Sequence, residues 1–126
     1  MNNLYARAVF FVRDAERSLR HYVEELGFSE DWNHREEGRT VVCQVGWSGF
    51  ELILNQVYEP TRERAGHGRV FIGLEDDQIE PFRQHLAARA IPTERVDWGR
   101  PTLVIRDPDG NELYFWDWPE KGSNPS

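Results

Sequence analysis

Apolar residues run without interruption over residues 8–12, as in a buried strand, and Asp14 follows with a side chain able to cap the first free amides of a helix. The pattern then turns helical. Ala15, Leu19, Tyr22, Val23 and Leu26 fall on one face, and Glu16, Arg17, Arg20, His21, Glu24 and Glu25 fill the other. Gly27, just past the last periodic residue and followed by Phe28, predicts a left-handed cap closed by an apolar contact. Two further apolar runs, at 41–45 and 49–54, are separated by Trp47-Ser48-Gly49, a tight-turn signature.

The same grammar returns half a chain later. Residues 70–74 read as a strand, with Asp76 and Asp77 as breakers after it. Ile79, Phe82, Leu86 and Ala90 then form one face of a second helix that stops before Ile91 and Pro92. Pro81 is expected in the first turn of that helix, where a missing N–H does no harm. The tight turn Asp107-Pro108-Asp109-Gly110 leads into residues 110–115, which answer 49–54. The fold class predicted is therefore α+β, two tandem βαβββ units at about residues 4–57 and 68–118 within one domain, 1–119. Between the units, residues 58–68 carry Pro60, Gly66, Gly68 and several charges without apolar periodicity, which marks a linker. The polar residues 120–126 are expected to form a flexible tail.

A chain of 126 residues buries enough apolar surface to fold without disulfide or metal staples. Cys43 is the only cysteine, so no internal disulfide forms and a reducing, cytoplasmic compartment is expected. It lies in an apolar strand with no histidine near in sequence, the setting of a small buried hydrophobe and not of a nucleophile. Neither a basic start followed by an apolar stretch nor a membrane-length apolar run occurs, so export and membrane insertion are not expected. The formal net charge of −7 repels phosphate backbones, which argues against nucleic acid as a partner, and attracts cations at long range. The same acidity is also what keeps an ordinary small bacterial domain soluble.

Val12-Arg13-Asp14 with Tyr22 and Leu26-Gly27-Phe28 stand in the first half, and Trp98-Gly99-Arg100 runs into Arg106-Asp107-Pro108-Asp109-Gly110-Asn111-Glu112 in the second. Together these residues resemble the vicinal oxygen chelate superfamily, the group of glyoxalase I, extradiol dioxygenases, fosfomycin resistance enzymes and bleomycin resistance proteins. The resemblance covers nearly the whole chain. The Asp-Pro-Asp-Gly-Asn turn is common across that superfamily, while Trp98-Gly99-Arg100 leading into it is most similar to the bleomycin resistance branch. The resemblance implies that each βαβββ unit makes half of a curved mixed sheet around a cavity, with the helices outside. Strand alternation then divides the faces. With Leu52 and Leu54 toward the helices, Glu51, Ile53 and Asn55 line the cavity; with Leu113 and Phe115 toward the helices, Glu112, Tyr114 and Trp116 do so.

Metal enzymes of this superfamily hold a divalent ion on four strand positions, typically with histidines and glutamates. Matched residue by residue, those positions are Arg7, Glu51, Arg69 and Tyr114, of which only Glu51 is an ordinary ligand. A guanidinium is always protonated and has no lone pair to give. The best substitute set, His67 with Glu51 and Glu112, leans on one histidine beside glycines in a loop. His21 and His85 sit on or beside polar helix faces, and His34 lies in a charged stretch. No metal, no cofactor and no catalytic residue is therefore expected. Arg7 and Arg69 have two readings that the sequence leaves open: pairing with Glu51 or Glu112, or anchoring an anionic group of a ligand through the guanidinium fork.

Trp32, Trp47, Trp98, Trp116 and Trp118 concentrate at strand ends and turns, where large rings stack on planar or cationic ligands, fill cores or build dimer interfaces. The expected function is a non-catalytic small-molecule binding protein resembling bleomycin resistance proteins, which sequesters a drug-like or metabolite ligand in the groove of a homodimer. Its ligand-binding residues are expected to be Arg7, Glu51, Ile53, Asn55, Arg69, Trp98, Glu112, Tyr114 and Trp116. The implied ligand is bulky, cationic and partly aromatic, as bleomycin is. Pairing of an otherwise unprotected sheet edge also favours the dimer. The alternative function is a metal-dependent lyase or dioxygenase of the glyoxalase type with a non-standard metal site.

Overall fold

Every apolar run picked out above becomes a strand, and the strands sort into two four-stranded sheets of the same order in the computed structural model, which describes residues 4–116. In the first sheet β1 (Ala8–Val12) runs parallel to β4 (Phe50–Gln56), followed across the sheet by antiparallel β3 (Arg39–Trp47) and β2 (Ser29–Glu36). In the second, β5 (Arg69–Ile72) runs parallel to β8 (Glu112–Trp116), followed by β7 (Pro101–Arg106) and β6 (Glu94–Asp97). Helix α1 (Ala15–Arg20) follows β1 and α2 (Asp76–Ala88) follows β5, so each sheet is one βαβββ unit and the fold is α+β. The described residues divide into a first unit that reaches Gly68 and takes in Asp107–Asn111, and a second formed by Arg69–Arg106 and the residues from Glu112 on. The expected tail at 120–126 and Trp118 lie outside the described residues. No described helix is long and apolar enough to cross a membrane.

Helix α1 starts where its cap predicts, with Asp14 Oδ1 accepting from Arg17 N at 3.2 Å. It does not stay α-helical to Leu26. From His21–Glu25 it widens into a π turn, with Leu26 N donating to His21 O. Ser18, three residues past Ala15 and four before Tyr22, joins Ala15, Leu19, Tyr22 and Leu26 in the core, and within the widened turn Val23 is only half-buried. His21, expected on a polar face, keeps 15% of its side chain exposed and stands edge-on to Tyr22. Gly27, at φ 82°, closes the helix as expected, with Phe28 N donating to Tyr22 O at 2.9 Å.

The start of α2 differs from expectation. Asp76 and Asp77 do not break the chain but form the first turn, where carboxylates favour the positive end of the helix dipole. The true cap is Glu75, in a reciprocal capping box with Gln78, whose Oε1 accepts from Glu75 N at 2.9 Å. That earlier start leaves Pro81 as the sixth helical residue, beyond the first turn, with no N–H to give the Asp77 carbonyl. Ile79, Phe82 and Leu86 are buried as predicted, and Phe82 meets Phe115 at 4.5 Å. Ala90 is not on that face. It is exposed, in the left-handed conformation at φ 53°, and Ile91 N donates to Leu86 O in a helix-ending motif.

Residues around the Asp107–Asn111 turn explain the remaining motif. Asp107 Oδ1 accepts from the backbone N–H of Asp109, Gly110 and Asn111, and its Oδ2 accepts from Tyr22 Oη and Asn111 Nδ2. Burial still holds this carboxyl above its usual range and pushes the Tyr22 phenol well up. Asp109 accepts from Arg13 and Ser18, and Asn111 bridges Phe11 O and Gly68 N. The approach is so close that a Cβ at Gly66 would lie 2.0 Å from Asp109 O, so only glycine fits. The linker is thus part of the first unit, with a short 3-10 turn at Arg62–Arg64.

Phe10, Val12, Cys43, Val45, Leu52 and Leu54 are buried in the first unit, and Ile72, Ile105, Leu113 and Phe115 in the second. Each large apolar side chain so buried contributes about 2 kcal/mol. Burial pushes the Cys43 thiol up to about 12, which leaves essentially no thiolate at neutral pH and agrees with a structural role.

Candidate functional site

In each unit one sheet face lies against the helix and the other does not. On β4, Leu52 and Leu54 are fully buried while Glu51, Ile53 and Asn55 keep partial exposure, the division predicted from alternation. Register places Val42 beside Asn55 and Gln44 beside Ile53 on that second face, with Val9 and Phe11 of β1 on its other flank. Arg7 Nε donates to Glu51 Oε1 at 2.9 Å, and Gln44 Nε2 donates to Glu51 Oε2 at 3.3 Å, so both carboxylate oxygens are engaged. Gln44 Oε1 accepts in turn from Trp32 Nε1 at 3.1 Å, and Arg7 also donates to Tyr5 Oη at 2.9 Å. The hydrogen bond to Glu51 raises the Arg7 guanidinium above its already high range.

The second unit repeats the pair. Arg69 stands opposite Glu112 in the parallel register of β5 and β8, and Arg69 Nε donates to Glu112 Oε1 at 2.9 Å. Arg106 of β7 donates to Glu112 Oε2 at 3.0 Å and also reaches Glu94 of β6. Charges of alternating sign thus cross all four strands. Two residues further along the strands the row turns aromatic: Phe71 stands beside Tyr114, and the Arg69 guanidinium lies 4.5 Å from the Tyr114 ring centroid. Trp98 packs on Phe71 and Tyr114, Trp116 packs on Phe71, and Arg100 covers Trp116 at 4.1 Å.

The four positions matched to the family's metal ligands fail as a donor set. Within the first unit Arg7 and Glu51 are bonded to each other, and within the second Arg69 lies on Tyr114. His67 is exposed, His34 pairs with Glu36 and His21 with Glu25. Among the described residues no three of His, Cys, Asp and Glu gather in a metal-binding arrangement. The residues present do not fit a divalent ion.

Of the residues expected to bind ligand, Arg7, Glu51, Ile53 and Asn55 share the first unit's face, and Arg69, Glu112, Tyr114 and Trp116 share the second's, with Trp98 packed onto it. Sequence reasoning missed Tyr5, Gln44, Phe71, Arg100 and Arg106 as members of these faces. Gln44, a polar residue inside an apolar run, and Phe71, two residues beyond Arg69, were both open to the alternation argument. Trp32, expected at a strand end or turn, lies inside β2. Two clefts, of about 350 Å³ around Arg13, Arg39 and Arg62 and about 220 Å³ around Leu86, Ile91 and Leu103, contain none of the expected residues.

A family model described as the Glyoxalase/Bleomycin resistance protein/Dioxygenase superfamily matches residues 5–115. A search of curated proteins finds no match. Among solved structures the chain is similar to a bleomycin-binding protein from Streptomyces verticillus complexed with copper(II)-bleomycin, with 18% identity over 92% of this chain and 97% of that one and a TM-score of 0.68. It is also similar to TnmS3, an antibiotic binding protein from a Streptomyces species, with 22% identity over 91% and 97% and a TM-score of 0.63. Lactoylglutathione lyase from Agrobacterium tumefaciens shares 16% identity over 90% and 92% with a TM-score of 0.64. At these identities the likeness is one of fold.

Proposed function

The chain belongs to the Glyoxalase/Bleomycin resistance protein/Dioxygenase superfamily, and within it we propose that it binds a small molecule without transforming it. The observation that carries this reading is what stands at the metal positions: a guanidinium held by Glu51 in one unit and a guanidinium stacked on Tyr114 in the other. Two like charges about 4 Å apart near a protein surface repel by about 4 kcal/mol per pair of unit charges, so each arginine opposes a divalent ion. What remains on the two faces is a mixture of rings, carboxylates and guanidiniums, which suits recognition of a drug-like or metabolite ligand by stacking and hydrogen bonding. We place that ligand in the groove of a cytoplasmic homodimer, as in the expectation from sequence.

Elemental analysis of protein purified without a polyhistidine tag tests the reading. Well below one zinc, nickel, manganese or iron per chain is the expected result. One ion per chain, lost in Glu51→Ala or His67→Ala, would overturn it and restore a metal-dependent lyase or dioxygenase.

A further inference from the structure

The cleft of about 350 Å³ in the first unit shares no residue with the two sheet faces. Three segments wall it: the link from β1 to α1, the start of β3, and the chain that leaves β4. Its volume falls at the lower end of small-molecule sites, roughly 300–1,000 Å³. Hydrogen bonds hold the walls. Val57 N donates to Val12 O at 3.0 Å, and Gln56 Oε1 accepts from Ala15 N at 2.9 Å, which ties the end of β4 to the start of α1. Tyr58 O then accepts from Thr61 N at 2.9 Å, and Arg64 N donates to Thr61 O at 3.0 Å, so residues 58–64 form two consecutive turns.

Most of the charge around this cleft is committed. Arg13 Nη1 donates to Asp109 Oδ1 at 3.2 Å. Arg39 Nη2 donates to Asp14 Oδ1 at 3.3 Å, and Arg17 N donates to the same oxygen. Glu59 and Arg62 differ. Both line the cleft and are exposed, and neither side chain has a hydrogen-bond or ion-pair partner among the described residues. What the internal pairs leave over is therefore one carboxylate and one guanidinium, three residues apart on the same turns. Tyr58, beside them in the lining, keeps 55% of its surface exposed.

That pair of leftover charges selects the ligand. A simple anion drawn to Arg62 meets the carboxylates of Glu59 and Asp14, and a simple cation drawn to Glu59 meets three guanidiniums. A ligand with both charges on neighbouring atoms engages Glu59 and Arg62 together. We propose that this cleft binds a free α-amino acid, whose carboxylate accepts from the Arg62 fork, whose ammonium donates to Glu59, and whose side chain lies along the Tyr58 ring. The site is separate from the sheet faces, so it stands or falls independently of the ligand placed there.

The test titrates the full chain with three compounds that carry the same phenyl ring: L-phenylalanine, 3-phenylpropanoate and phenethylamine. Resonances of the Arg62 Nε–H and the Tyr58 ring report the location. L-phenylalanine is expected to shift both and to bind about tenfold tighter than either singly charged analogue, the equivalent of one charge-assisted hydrogen bond. In Arg62→Gln its advantage over phenethylamine is expected to vanish, and in Glu59→Gln its advantage over 3-phenylpropanoate. Both positions are exposed turn residues, and the resonance shifts of the unsubstituted chain are a readout that needs neither variant. Either analogue binding as tightly as L-phenylalanine overturns the proposal. So do shifts that leave Arg62 and Tyr58 unmoved, and so do spectra unchanged by L-phenylalanine at millimolar concentration, while binding of another ligand on the sheet faces is untouched by all three results.

Discussion

Ala90 adopts φ 53°, a conformation that costs a residue with a Cβ about 1 kcal/mol and costs glycine nothing sterically. Its side chain is exposed, so nothing is lost from the core on removing it. Ala90→Gly is expected to raise the stability of the fold by about 0.5 kcal/mol, once the greater freedom of glycine in the unfolded chain is allowed for. The midpoint of urea unfolding measures this; a lower midpoint would show that the left-handed cap does not form. The helical pattern pointed the other way at this position, because Ala90 continues the spacing of Ile79, Phe82 and Leu86 and periodicity carries no information on backbone handedness. Where one residue's chemistry was decisive, the sequence was enough: Cys43 in an apolar run reads as buried, and it is.

The contact between α1 and β3 carries a carboxylate whose charge is held by the backbone. Glu16 Oε1 accepts from Thr40 N at 2.8 Å, and that bond draws the Glu16 carboxyl below its ordinary value near 4.5. A carboxyl lowered in the folded state contributes stability that is complete above its unfolded value and disappears as pH falls through its folded value. Glu16→Gln is therefore expected to lower the thermal midpoint at pH 7, and the gap to the parent chain to close as pH falls below about 4. Thermal scans across that range check it; a gap independent of pH would mean that the charge contributes nothing. Elements with an apolar face were legible and those without were not. Strand β2, Ser-Glu-Asp-Trp-Asn-His-Arg-Glu, is exposed along nearly its whole length and is a strand only because β3 supplies its hydrogen bonds, with two register shifts along the way. The Glu75 and Gln78 capping box is local chemistry that sequence does contain, but Asp76 and Asp77 masked it by resembling a turn.

The repeat of one unit by the other was the most legible property of the molecule, and its consequence for the candidate site was the least. Alternation placed Glu51, Ile53, Glu112 and Tyr114 on their faces, yet it gave no sign of whether each arginine would meet a carboxylate, since side-chain pairing across strands depends on register. A homodimer remains the expected assembly, because among the described residues β6 is the last strand of its sheet, and an edge strand is a surface that association can cover. Light scattering at micromolar concentration is expected to give twice the chain mass of 14.8 kDa, and a single-chain mass would remove the shared-groove model. The Asp107–Asn111 turn has a last consequence, for the order in which the chain is made. Gly68 N waits for Asn111 Oδ1, 43 residues downstream, and the Tyr22 hydroxyl waits for Asp107. A ribosome that has released only the first sheet has therefore released a unit with open polar groups in its core, and a gene cut at the linker would separate that unit from the turn that completes it.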